Sequence, residues 1–208
     1  VIPNAFRWAR QAAAAVGALA MLAGCGPRGP KGAAVKELEG VLDSVRTARE
    51  ALGGLPADSI AQAKSWAEQN LWDFELLVAD SSAQLTREEG AVISEVARAR
   101  RLLKDGPERL RTLAQSGERT ELQLVALIGA LQSGAATDGA GTPIDSAYIA
   151  TNTARELSFA RAYLTSVAET QDLARRGLDL SAAAAAPADS LKTVLRARYA
   201  QALIAASE

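Results

Sequence analysis

Along residues 33–206, apolar side chains recur three and four positions apart, and runs that alternate apolar with polar are nearly absent. Three-four spacing places side chains on one stripe of an α-helix and has the wrong period for a half-buried strand. Val35, Leu38, Leu42, Val45 and Leu52 mark a first helix over 33–52, with Arg49 interrupting the stripe. Gly53-Gly54 predicts its end, because glycine accepts the left-handed C-cap conformation. A second helix is expected from Pro56-Ala57-Asp58, with Asp58 as N-cap and Ile60, Lys64, Ala67, Leu71, Phe74 and Val78 on one face. The short link predicts an antiparallel hairpin of these two helices.

Thr86-Arg87-Glu88-Glu89 has the form of a capping box and predicts a third helix, with Val92, Ile93, Val96, Ala99 and Leu103 on its apolar face. Asp105-Gly106-Pro107 should break it, since proline lacks the N–H and crowds the preceding turn. Ser116-Gly117 suggests a second interruption. The run Leu122–Leu131, apolar nearly all round, reads as a fully buried helix too short to span a bilayer. The stretch 133–141, "SGAATDGAG", is the clearest internal loop. Thr142-Pro143-Ile144-Asp145 then predicts a helix start running to Arg176, with Gly177 as its C-cap. A last helix is expected from about Pro187 to Ala206. The resulting fold class is all-α: an elongated antiparallel bundle of five or six helices. No fixed repeat of 20–50 residues points to a solenoid.

Composition narrows the chemistry. The 208-residue chain contains no histidine, one cysteine and one methionine. Without histidine there is no Ser-His-Asp or Cys-His catalysis, no His-based zinc site and no Glu-x-x-His di-iron site. The net charge is −1, lacking the basic excess of a nucleic-acid binder. No metal and no catalytic residue is expected. Arg98, Arg100, Arg101, Lys104, Arg109 and Arg111 form a basic run, but Glu88, Glu89, Glu95, Asp105 and Glu108 are interleaved, so ion pairs on a solvated face account for it. The carboxylate pairs Glu88/Glu89 and Glu118/Glu121 sit where helix capping explains them. Trp66, Asn70 and Trp72 form the most site-like cluster, an aromatic platform for a glycan or partner if the rings do not simply pack into the core.

The first 25 residues differ in character. Arg7 and Arg10 precede a small and apolar stretch from Gln11 to Gly24, and no acid appears before Glu37. The stretch is about 21 Å long as a helix, short of a bilayer core. A basic start and a short apolar run ending in small residues describe a secretory signal. Its end, Leu22-Ala23-Gly24-Cys25, resembles the lipobox of bacterial lipoproteins. The resemblance covers only these 25 residues, and the chain begins with Val1 rather than Met. It implies cleavage between Gly24 and Cys25, with diacylglycerol and fatty acyl groups attached at Cys25 and no other cofactor. Two or more acyl chains give stable attachment, at about 0.8 kcal/mol per buried CH₂. Gly26 in place of an aspartate favours the outer membrane, facing the periplasm, over the inner membrane or a Gram-positive surface.

The expected organisation is therefore a signal peptide over 1–24, a flexible Gly/Pro tether over 25–32 and a single helical domain over 33–208. The expected function is a lipid-anchored, non-catalytic scaffold or interaction module of the cell envelope, touching membrane lipid through Cys25 and an envelope protein through its helices. The alternative is an envelope lipoprotein that binds a ligand or glycan with Trp66 and Trp72.

Overall fold

The computed structural model describes residues 30–79 and 85–207. Five helical segments account for nearly all of them: α1 Pro30–Gly53, α2 Ala57–Ala79, α3 Arg87–Leu103, α4 Gly106–Gln132 and α5 Ser146–Ser207. No strand occurs among the described residues, and the loop before α5 holds a single isolated bridge, Thr137 to Pro143. The all-α class holds, but the members of the bundle are not five or six separate helices.

The five segments make three rods: α1 with α2, α3 with α4, and α5 alone. α1 pairs with α4, α2 with α3, and α5 packs against all four, while α1 and α2 share no face and neither do α3 and α4. The expected α1–α2 hairpin does not form, because the link never reverses. Gly54 N donates to Glu50 O at 3.0 Å, Leu55 N to Leu52 O at 3.2 Å and Ile60 N to Pro56 O at 3.0 Å, so the chain keeps its helical sense through a kink. Gly53 and Gly54 are not left-handed. Among the described glycines only Gly134 (φ 71°) and Gly141 (φ 83°) are, both in the loop before α5. Asp58 lies inside the first turn of α2 rather than capping it.

Between α2 and α3 the chain reverses, and the two pack side by side. The Thr86 capping box is present in both directions: Glu89 N donates to Thr86 Oγ1 at 3.2 Å, and Thr86 N donates to Glu89 Oε2 at 2.9 Å. Pro107 in the first turn of α4 separates α3 from α4 at Lys104-Asp105. α4 then runs unbroken through Ser116-Gly117. Its segment 122–131 is amphipathic, not fully buried: Leu124, Leu127, Ile128 and Leu131 face inward, while Leu122 and Val125 are exposed. Antiparallel register follows from Gln132 Nε2 donating to Glu39 Oε1 at 3.0 Å and Arg46 Nε to Glu121 Oε1 at 2.8 Å.

α5 is one helix of 62 residues, about 93 Å at 1.5 Å per residue. It starts at Ser146, where Asp145 Oδ1 accepts from Tyr148 N at 2.8 Å, and not at Thr142-Pro143, which closes the loop instead. Gly177 does not end it. Ala182 to Ala186 carry it onward, because alanine has the highest helix propensity, and exposed Pro187 is tolerated inside. Gly177 is required for a different reason: a Cβ there would sit 2.5 Å from Leu103 Cγ, so the glycine lets α3 and α5 touch.

The core falls into separate clusters along the rods. At one end Leu38, Leu42, Val45, Leu124, Leu157 and Val167 pack together. At the other, Ala67, Phe74, Val96, Leu191 and Leu195 do so. Ile60, Leu103 and Ala174 join the two halves at the kinks. We call the end holding the start of α1 the near end and that holding the ends of α2 and α5 the far end. Residues 30–32, assigned to the tether by composition, already belong to α1; proline in a first helical turn forfeits no internal hydrogen bond.

One ion pair clamps α3 to α5 at the far end. Arg198 Nη2 and Nη1 donate to Glu89 Oε1 at 2.7 Å and Oε2 at 3.1 Å. Arg198, then the Thr86 amide, hold the Glu89 carboxyl below the usual glutamate range. A depressed carboxylate pKa means stability present above the unfolded value and lost as pH falls through the folded one. The start of α3 is therefore expected to loosen under acid. Arg198→Gln should move the Glu89 titration upward in a carbon-detected NMR titration; an unmoved midpoint would show that the clamp is not formed in solution.

Candidate functional site

The kink in rod one opens a cleft of about 660 Å³ between α1, α2 and α4. Leu52, Leu55, Ala57, Leu110 and Ala114 form apolar walls, with Arg46, Arg49, Glu50 and Glu121 at the polar side. The volume lies within the usual range for small-molecule sites, and so does the pattern of apolar walls with few polar groups.

Arg46 and Arg49 sit almost one turn apart on α1 and converge on one carboxylate of α4. Arg46 Nε donates to Glu121 Oε1 at 2.8 Å and Arg49 Nη1 donates to Glu121 Oε2. The Glu121 side chain is 19% exposed, those of Arg46 and Arg49 49% and 37%. Arg46 first, and Arg49 after it, hold the Glu121 carboxyl below its usual range against partial desolvation. A carboxylate kept ionised in this way is unsuited to general-acid work, which needs a raised value. The arginines are suited to recognising carboxylate, because a guanidinium offers a planar fork of five donors.

Tyr163 of α5 packs against Gly117 of α4 and is not part of the cleft lining. It is 4% exposed, and its hydroxyl has no hydrogen-bond partner. A Cβ on Gly117 would lie 2.7 Å from Tyr163 Cζ and 2.9 Å from Arg49 Cγ, so the glycine lets the phenol end and the arginine stem both come close to α4. Gly117 lies on the face of α4 between the lining residues Ala114 and Glu121. Burial raises the phenol pKa, with Arg49 opposing.

Of the residues that the sequence singles out, Glu121 lies in this cleft and the tryptophan cluster lies elsewhere. Trp66 and Trp72 are six positions apart on α2, about 120° around a helix of 3.6 residues per turn. Trp66 is half-buried against Ala67, Phe74 and their neighbours, whereas Trp72 is 57% exposed. Asn70 is buried, its Nδ2 donating to Trp66 O at 2.7 Å and its Oδ1 unpartnered. The three do not converge on one platform. The basic run is largely paired: Arg98 with Glu95 at 3.8 Å, Arg100 with Glu68 at 3.9 Å, Arg109 with Glu169 at 3.5 Å, and Arg111 with Glu108. Glu88/Glu89 and Glu118/Glu121 are not acid-base pairs, since Glu89 and Glu121 are each tied to arginine. Gly24 and Cys25 lie outside the described residues. Among the described residues no group of three or more acidic or cysteine side chains is placed to hold a metal ion.

An elongated three-rod helical protein with an arginine-lined cleft at its mid-length kink is the class that fold and site define. No protein-family profile matches the chain, and neither the curated proteins nor the solved structures yield a significant match.

Proposed function

We propose that this chain is an envelope lipoprotein: cut before Cys25, acylated there, and carrying a helical rod that presents its far end to a protein partner without catalysis. The lipobox-like Leu22-Ala23-Gly24-Cys25 supports the anchor, and Gly26 supports the outer membrane, facing the periplasm. No helix among the described residues is long and apolar enough to cross a membrane.

The observation that carries the partner-presenting role is a separation along the rod. α1 begins at Pro30, five positions after Cys25, so the near end adjoins the acylation site in sequence. Trp72, Leu76, Leu85 and Leu203 are large apolar side chains exposed towards the opposite end. Trp72 and Leu76 stand one turn apart on the same face of α2, and exposed apolar surface of this kind supports an interaction role. Leu122, Val125 and Phe159 are exposed on the near half, so the bias is towards the far end rather than absolute.

Two measurements test the reading. Mass spectrometry of the protein from its native host should find Cys25 as an acylated first residue; a leader still joined to an unmodified Cys25 would end the lipoprotein assignment. A photo-crosslinking residue at Trp72 or Leu76 should capture one envelope protein in intact cells, and the same residue at Ala33, near the start of α1, should not. Equal capture from both positions would remove the far-end role.

A further inference from the structure

We infer, resting on the far-end role proposed above, that the outer face of α2 docks a basic amphipathic helix of another protein. The partner's apolar side chains would cover Trp72 and Leu76, and its lysines or arginines would reach Asp73 and Glu75. Ile60, Ala67 and Phe74 turn one side of α2 into the core. Trp72 and Leu76 project from the opposite side and are both exposed. Ser65, Gln69 and Ala79, also exposed, continue their line. From 65 to 79 the stripe runs about 21 Å at 1.5 Å per residue. A straight stripe of about four turns matches another helix laid along it.

Charge fixes the sign of that helix. α2 carries Asp58, Glu68, Asp73 and Glu75 against a single cation, Lys64, which is spent on Glu68 at 3.0 Å. α3 beside it holds more arginine than glutamate. At about 100° per residue, Glu75 lies about 60° to one side of Trp72, and Asp73 about 60° to the far side of Leu76. Neither carboxylate is ion-paired among the described residues: Asp73 accepts from Gln69 Nε2 at 3.0 Å, and no hydrogen bond or ion pair engages Glu75. An apolar stripe with an unneutralised carboxylate on each flank complements a helix whose own stripe is edged by cations. An arginine or lysine there gains a carboxylate and, beside Glu75, the face of an indole ring, which attracts cations. The same charges count against other occupants. Two copies of this chain meeting face to face on α2 would set carboxylate against carboxylate, and an anionic bilayer would be repelled.

The test uses the full acylated chain in phosphatidylcholine nanodiscs, with binding to empty nanodiscs subtracted. Two fluorescein-labelled helical peptides carry leucines at three-four spacing, one flanked by lysines and the other by glutamates. The lysine peptide should bind and the glutamate peptide should not. Trp72→Ala with Leu76→Ala should weaken the lysine peptide about tenfold or more, the scale of a lost aromatic anchor. Asp73→Lys with Glu75→Lys should reverse the preference between the peptides. Should that variant lose its helical circular dichroism, Glu75→Lys alone, at an exposed position, should shift the preference the same way. Equal binding of the two peptides would overturn the assignment, as would lysine-peptide binding unchanged by these variants. So would a dimer, or binding to phosphatidylglycerol vesicles, that is lost in Trp72→Ala. In intact cells a photo-crosslinker at Ser65 should capture a basic helical segment, and the charge reversal should abolish the capture. No capture at all would end the far-end role and the basic helix with it. Capture that survives the reversal would leave that role standing and remove the basic helix alone.

Discussion

Leu103→Ala is expected to destabilise the protein by about 2–5 kcal/mol, and Gly177→Ala added to it is expected to recover part of that loss. Leu103 is fully buried where α3 ends and joins Ile60 and Ala174 between the two halves of the core. Gly177 faces it from the middle of α5, and a methyl there would overlap Leu103. Alone, Gly177→Ala gains about 1 kcal/mol of helix propensity but must overpack the leucine, typically a loss of about 1–3 kcal/mol. With the leucine truncated the overlap disappears, the propensity gain remains and the new methyl fills part of the cavity. Urea unfolding of the two single variants and the double variant measures the coupling directly. Simple additivity would mean that α3 and α5 do not meet at this level, and the three-rod arrangement would then be wrong.

The helical class was legible because its signal is periodic and redundant. Leu38, Leu42 and Val45 are all buried as their spacing requires, and so are Ile60, Ala67 and Phe74. The Thr86 capping box and the Pro107 break were legible because each rests on local backbone chemistry. Connectivity between helices was not. Gly53-Gly54-Leu55-Pro56 contains breakers suited to either a reversal or a kink, and only packing against α4 and α3 decides between them. The same ambiguity misplaced Gly177. A glycine followed by leucine is compatible with a helix C-cap, yet here the missing side chain serves close packing, and the alanines after it extend the helix.

The cleft left two unconnected traces in the sequence, Arg49 interrupting an apolar stripe and the Glu118/Glu121 carboxylate pair, assigned to capping. A charged residue on an otherwise buried face needs a partner, and that partner, Glu121, lies 72 positions away on a helix whose pairing the pattern does not reveal. Nothing in the sequence pattern marks Tyr163, which by burial is a core residue. Its unpartnered oxygen becomes visible only once the phenol is seen to end against Gly117 of α4. The tryptophans drew attention through residue type, but α2 turns one towards the core and the other outward.

Phe74→Ala is expected to destabilise the far half by about 3–5 kcal/mol, the usual loss for a buried aromatic, and to do so unevenly along the rods. Phe74 is among the largest fully buried side chains and packs with Val96, Leu191 and Leu195, all of the far cluster. The near cluster draws its members from α1, α4 and the first half of α5 and shares none of these residues. The halves are joined by α5 itself and by the small group at the kinks, so a cavity at Phe74 removes packing from one half only. Amide exchange should accelerate in α2, in α3 and in α5 beyond Gly177, while α1 and α4 keep their protection, as expected where cooperative units follow separate cores. Uniform acceleration across all five helices would instead show that 62 unbroken residues of α5 transmit the loss and bind both clusters into a single cooperative unit.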